Sequence, residues 1–263
     1  MGTNIKKIIK NPLVFFTYVK LFFIYKQTRF QQGFFKMFGR KFTFIDSASF
    51  VAMYVDIFIN ESYKFKADNS SPVIIDCGAN IGLSVLYFKT LYPNSIIQAF
   101  EPDAKIFKVL EDNCNKFSFK DVTLFNNGVW INNEEVNFLS DGSDGGRIVQ
   151  YITDKNSNKI KMIRLKELLE KETEIDLLKI DIEGAEVEVL NDCVENFHRV
   201  KLLFVEYHSF TNEEQKLDDL LGVLKKAGFR YYINSIGGSS KNYFLNRADN
   251  NGFDLQLNIY ACR

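Results

Sequence analysis

From Pro72 onward, short apolar runs alternate with longer amphipathic stretches. That alternation predicts a mostly parallel β-sheet joined by crossover helices. The apolar runs fall at residues 73–77, 96–100, 122–125, 177–182 and 202–207. Helical spacing follows four of them, at 83–91, 104–116, 185–196 and 213–227. Two final strands, 229–236 and 255–262, flank a loop rich in glycine and asparagine, so they are expected to pair antiparallel. Between the third and fourth runs lies a polar, glycine-rich interval whose alternating pieces read as hairpin material rather than a βα unit. Ahead of Pro72, residues 1–45 read as one or two helices rich in Phe and Lys, and residues 46–71 as a further helical segment. The expected division is therefore a helical extension or lid, 1–71, and an α/β domain, 72–263.

Charge sharpens this division. The chain holds 33 basic and 33 acidic residues, but nine of the former and none of the latter precede Asp46. A basic arm on an acidic body suggests an anionic partner for the arm alone. A nucleic-acid enzyme would be basic around its active site too, so nucleic acid is not expected as a partner. The apolar stretch 12–25 is short of the roughly 20 residues a membrane span needs, and Lys20 interrupts it. The arm is expected to be a lid over the acceptor site or an oligomer contact, with an amphipathic anchor on anionic lipid as the alternative. Cys77, Cys114, Cys193 and Cys262 are widely spaced and no cleavable signal pattern precedes them. They read as reduced thiols of a cytoplasmic protein, at spacings unsuited to zinc, with the inner membrane surface as a second location for the arm.

The chemistry concentrates at predicted strand ends, where ligands of open α/β sheets sit. The first run ends in Asp76, and Gly78 and Gly82 follow across a tight turn in Asp76-Cys77-Gly78-Ala79-Asn80-Ile81-Gly82. Glycines there let the backbone approach a ligand. The charge of Asp76 would repel a pyrophosphate but suits an amino group or a sulfonium, and the first glycine of a dinucleotide fingerprint is missing. Glu101 ends the second run, where an acid accepts hydrogen bonds from ribose hydroxyls. The fourth and fifth runs carry Lys179-Ile180-Asp181-Ile182-Glu183-Gly184-Ala185-Glu186 and Glu206-Tyr207-His208. Neighbouring strands would bring these two motifs together, with Asp181 and Glu183 on one side and Glu206 and His208 facing them. Glu186 reads instead as a helix-start acid favoured by the macrodipole, and His198 as a surface helix-end residue. Trp130 reads as packing, and the loop 140–147 either as an acceptor flap with Arg147 reaching a phosphate or as a solvated turn.

Taken together, the DCGANIGLS run, Phe100–Asp103, Lys179–Glu186 and Val205–His208 resemble the FkbM family of methyltransferases, over about residues 60–210. The resemblance implies a class I, Rossmann-like fold with a seven-stranded sheet and an antiparallel terminal strand. It implies O-methylation, by S-adenosylmethionine, of a hydroxyl on a sugar, a nucleotide-linked sugar, a glycan or a polyketide, with S-adenosylhomocysteine as product. Asp76, Gly78, Asn80 and Gly82 would line the cofactor's amino-acid end, Glu101 would hold its ribose, and Asn127 would meet the adenine. Asp181 would lie between cofactor and acceptor. For the proton of the acceptor hydroxyl, His208 has a reference pKa of about 6.5 and suits a base, oriented by Asp181 or Glu206. A less favoured variant uses a divalent metal on Asp181, Glu183, Glu206 or His208. The rival of another class is a nicotinamide-dependent sugar oxidoreductase, since Glu101 would serve that ribose equally.

Overall fold

The computed structural model describes residues 12–139, 146–148, 157–236 and 252–263, with side chains masked at 12–15, 147, 148 and 157. The N-terminal part runs α1 (Pro12–Tyr25), β1 (Gly33–Met37), β2 (Arg40–Phe44) and α2 (Ser47–Tyr54), which continues into one π-helical turn, Val55–Ile59. The helical expectation for residues 1–45 is therefore corrected over 33–44, which form an antiparallel hairpin with Met37 opposite Arg40. Its turn, Phe38-Gly39, has positive φ at both positions, +46° and +81°. That is the two-residue geometry whose twist matches paired strands. Phe35, Met37, Phe42 and Phe44 point inward while Phe34 and Lys36 point out. The two-residue period was hidden because Phe occupies both faces.

Strands and helices then alternate: β3 (Val73–Cys77), α3 (Leu83–Leu91), β4 (Ile96–Phe100), α4 (Ala104–Phe117) and β5 (Val122–Phe125). A small sheet follows, from β6 (Gly128–Trp130), β7 (Glu135–Leu139), β8 (Arg147–Ile148) and β9 (Ser157–Arg164). The main sheet resumes through α5 (Leu165–Lys171), β10 (Ile175–Ile180), α6 (Glu186–Cys193), β11 (Val200–Phe210), α7 (Leu217–Lys226), β12 (Arg230–Ser235) and β13 (Phe253–Cys262). Its order is β12-β13-β11-β10-β3-β4-β5, and β13 runs antiparallel to both neighbours while the other pairs are parallel. This is the expected α/β class I sheet. The flap reading of 140–147 lies mostly outside the described residues, and includes the side chain of Arg147.

Each strand of the sheet interior feeds two cores, because successive side chains point to opposite faces. Ile75, Leu178, Ile180, Leu203 and Val205 join one cluster with α5, α6 and α7. Ile74, Leu177 and Phe204 join the other, with α3, α4 and the N-terminal residues Leu21, Phe35, Phe42, Phe44 and Phe50. The extension thus covers one face of the sheet, and that burial accounts for Phe35, Phe42, Phe44 and Phe50. Phe42, Phe44 and Phe50 are at most 1% exposed, each worth about 1.5–3 kcal/mol of transfer free energy. Among the described residues, no helix is long and apolar enough to cross a membrane. All four cysteines are free thiols.

Candidate active site

The loop after β3 is built from backbone rather than side chains. Gly78 and Ala79 donate their N–H groups to the Phe100 carbonyl at 3.0 and 2.9 Å, which ties the loop to the end of β4. Gly78 has φ +91°, and a Cβ there would stand 1.9 Å from the carbonyl oxygen of Asp181. Only glycine permits that approach of the two loops. Asn80, also left-handed at φ +48°, places its N–H 3.1 Å from Glu101 Oε2. Gly82 caps α3 at φ +91° and faces Leu110 of α4, so its smallness serves helix packing.

A cavity of about 670 Å³ opens over these strand ends, lined by Gly78, Ala79, Asn80, Glu101, Asn127 and Asp181 among others. Asp76 and Gly82 stand behind its wall. The Asp76 carboxylate is fully buried, accepts from Ser84 Oγ at 2.5 Å, and lies 3.2 Å from Lys179 Nζ. Its expected contact with a ligand is therefore corrected to a support position, because its carboxylate is fully buried and does not reach the cavity lining. Glu101 is 6% exposed and accepts the Asp103 N–H at 2.8 Å as well as that of Asn80. Burial pushes its carboxyl up to about 8, although those two hydrogen bonds oppose it. Each carboxylate oxygen can still accept a further bond. Asn127 donates to the Lys161 carbonyl at 3.3 Å. Beside it, Phe100, Ile106, Val129 and Met162 form an apolar slot.

On the other side of the Gly78 loop, β10 stops at Ile180, two residues before its predicted end, and Asp181 begins a turn. Glu183 and Gly184 are left-handed, at φ +55° and +97°, so the extended-chain argument for Asp181 and Glu183 does not apply. Proximity is reached by the turn instead. Lys179, 1% exposed within β10, reaches Asp76 and Asp181 at 3.2 and 3.3 Å and donates to the Gly78 carbonyl at 2.9 Å. Burial alone would lower its pKa, but the carboxylates of Asp76 and Asp181 outweigh this and raise it. The lysine is thus a fixed cation. Asp181 keeps 23% of its side chain exposed to the cavity. Burial and the neighbouring Glu206 raise its carboxyl to about 6, against the pull of Lys179 and His208.

His208 lies within β11, not after it, with 1% of its side chain exposed and outside the cavity lining. Its Nδ1 is 3.1 Å from Glu186 Oε1, and its Nε2 is 3.5 Å from Glu206 and 3.7 Å from Glu183. Burial would lower the imidazole's pKa, but Glu183, Glu186 and Glu206 hold it well above its ordinary value. The helix-start reading of Glu186 is incomplete: besides accepting the Gly184 N–H at 3.0 Å, it is His208's closest carboxylate. Glu206 also accepts from Gln256 Nε2 at 2.7 Å. Asp181, Glu206 and His208 each offer a ligand atom within 4.8 Å of the others, the separation of a metal triad. The Lys179 ammonium beside Asp181 already supplies positive charge there.

The N-terminal segment adds residues that sequence reasoning missed. Asp56, on the π-helical turn, lines the cavity and accepts from Ser62 Oγ at 2.6 Å. Burial raises its pKa, with the charge of Asp181 contributing. Tyr63 lines the cavity beneath the Lys179 ammonium, 5.6 Å from its ring centroid. For Lys179 there was a legible signal: a lysine flanked by Leu177, Leu178 and Ile180 on an interior strand must find a buried partner. No comparable signal marked Asp56 or Tyr63.

Residues 76–231 match the family model described as the methyltransferase FkbM domain. Methyltransferase sdnD of Sordaria araneosa is 31% identical over 189 residues, covering 59% of this chain and 73% of that protein. Methyltransferase 1 of Beauveria bassiana is 28% identical over 159 residues, covering 51% and 64%. Among solved structures, the methyltransferase FkbM from Methylobacillus flagellatus KT superposes with a TM-score of 0.50 at 14% identity. It covers 82% of this chain, while the chain spans 53% of that protein's length. That likeness is one of fold.

Proposed function

The chain belongs to the FkbM methyltransferase family, and from that premise we propose that it is an S-adenosylmethionine-dependent O-methyltransferase acting on a sugar hydroxyl. The observation that carries this reading is the cavity itself. The backbone of the Gly78 loop runs between the Glu101 carboxyl and Asp181, and the apolar slot lines the same cavity. The donor set suits the cofactor. The slot fits an adenine, Glu101 can accept from ribose hydroxyls, and the excess of carboxylates over Lys179 and His208 suits a cationic ligand. Gly78, Asn80, Glu101 and Asn127 would hold it, with Asp76 acting through Lys179. When bound, S-adenosylmethionine supplies an electrophilic methyl group.

The protein's own task is then to orient the acceptor hydroxyl and take its proton. Asp181 is the base of this reading: it faces the cavity, and a carboxyl near 6 is ionised at neutral pH yet more basic than a free one. Lys179 keeps that carboxylate aimed. His208 becomes a positioning residue, because its buried imidazole is held protonated by the surrounding carboxylates and meets the cavity lining through Glu183, Glu206 and Gln256. A polyketide-type acceptor is the second reading, supported by the apolar wall of Val51, Ala52, Met53, Val55 and Ile236. The family match favours methyl transfer over the nicotinamide reading.

The test combines titration calorimetry with S-adenosylhomocysteine and NAD, and radiolabelled methyl transfer to nucleotide-linked sugars and to apolar hydroxylated acceptors. Binding of S-adenosylhomocysteine with label in an alkali-stable sugar ether is the expected result. Absence of S-adenosylhomocysteine binding would sink the proposal, and label only in apolar acceptors would select the second reading.

A further inference from the structure

α1 is apolar on both faces, yet only one face is buried. Leu21 and Ile24, at 1% and 7% exposure, pack into the core, whereas Val19, Phe22, Phe23 and Tyr25 are 36–66% exposed. Lys20 and Lys26 are exposed among them, and the Lys26 ammonium lies 4.6 Å from the Phe22 ring centroid. The hairpin repeats the composition: Phe34 and Phe38 are 57% and 63% exposed, and Lys41 lies 4.4 Å over Phe34. No acidic residue precedes Asp46. Exposed aromatics of this density mark a contact surface rather than ordinary surface scatter.

We propose that the outward face of α1, with Phe22, Phe23 and Lys20, and with Lys26 just past its end, docks on an anionic lipid bilayer surface. Charge complementarity selects this occupant. Aromatic rings favour the polar–apolar boundary of a membrane, and lysines among them are drawn to anionic headgroups. A second copy of the chain is a poor fit, because a two-fold contact sets each lysine-bearing face against itself. The 14 described residues of α1 are too few to span a bilayer, so this helix lies along the surface. Tyr25 joins the face to the chemistry: it is 59% exposed at the end of α1 and also lines the cavity. Docking would therefore bring the cavity mouth to the lipid surface, and it holds whether or not the acceptor reading above does.

The experiment is co-sedimentation of the full chain with phosphatidylcholine vesicles, with and without phosphatidylglycerol. The chain should pellet with the anionic vesicles, less so as salt rises, and remain in the supernatant with the neutral ones. Phe22→Ser with Phe23→Ser should weaken partitioning by about tenfold or more, and Lys20→Glu with Lys26→Glu should do likewise. Unchanged thermal unfolding and S-adenosylhomocysteine affinity would separate these losses from misfolding. A chain that stays in the supernatant with anionic vesicles overturns the proposal. So does a dimer in sedimentation velocity that the Phe22→Ser, Phe23→Ser variant dissolves, since the face would then belong to a second copy.

Discussion

The two sides of the Gly78 loop are made differently. On the Glu101 side, positive-φ backbone and N–H groups hold a single carboxyl. On the Asp181 side, acidic side chains crowd around two buried cations, Lys179 and His208. The first side recognises by shape, so it tolerates little change of backbone. The second is set by charge balance: removing any one partner shifts every other group's proton affinity. Binding and turnover should therefore separate when the two sides are altered independently.

The largest effect is expected at Asp181. Asp181→Asn should lower kcat by about 10²–10⁴-fold with S-adenosylhomocysteine affinity nearly intact. In the native protein, kcat should fall as pH drops below about 6, where this carboxyl takes up its proton. A full rate in the variant would remove Asp181 as the base. His208→Asn should change kcat and the shape of the pH profile without removing the acidic limb, whereas loss of that limb would return the base role to the imidazole.

Next in size is Lys179. Lys179→Met leaves Asp76 and Asp181 as unpaired buried acids, and should cost about 3–5 kcal/mol in denaturant unfolding. Adding Asp76→Asn should recover part of that loss. No recovery would mean that Lys179 acts by packing alone.

On the other side of the loop, Glu101→Ala should weaken S-adenosylhomocysteine binding by about 1–3 kcal/mol in calorimetry while kcat at saturation stays close to native. An unchanged affinity would remove Glu101 from the cofactor site. The same residue also gives stability a pH dependence. The folded Glu101 carboxyl lies near 8, above its ordinary 4.5, so the folded state holds a proton that the unfolded chain has lost. Its stabilisation is full below about 4.5 and is lost as pH rises through about 8. Thermal unfolding of the ligand-free protein should fall over that window, with a shallower slope in Glu101→Gln. An identical slope in that variant would assign the dependence elsewhere.

Much of this contrast was legible beforehand, but unevenly. The Glu101 side was readable because short-range rules govern it: an apolar run, a glycine turn, an acid at the next strand end. The Asp181 side was readable as a collection of chemical types, Asp181, Glu206 and His208, but not as an arrangement. That Glu186 pairs with His208 depends on how the turn at Glu183 and Gly184 folds α6 back onto β11. The hairpin at 33–44 escaped notice because Phe fills both its faces, leaving the hydrophobic period ambiguous.

By itself, then, the sequence determined the alternation of strands and helices, the positions of the strand-end acids and the asymmetry of charge between arm and body. These follow from local periodicity and from residue identity. Only the tertiary structure decided that Asp76 and His208 sit behind the cavity wall, that Lys179 joins two acids, and that residues 48–63 close the cavity. Each depends on contacts between segments far apart in the chain, where burial and neighbouring charge, rather than residue type, set what a side chain can do.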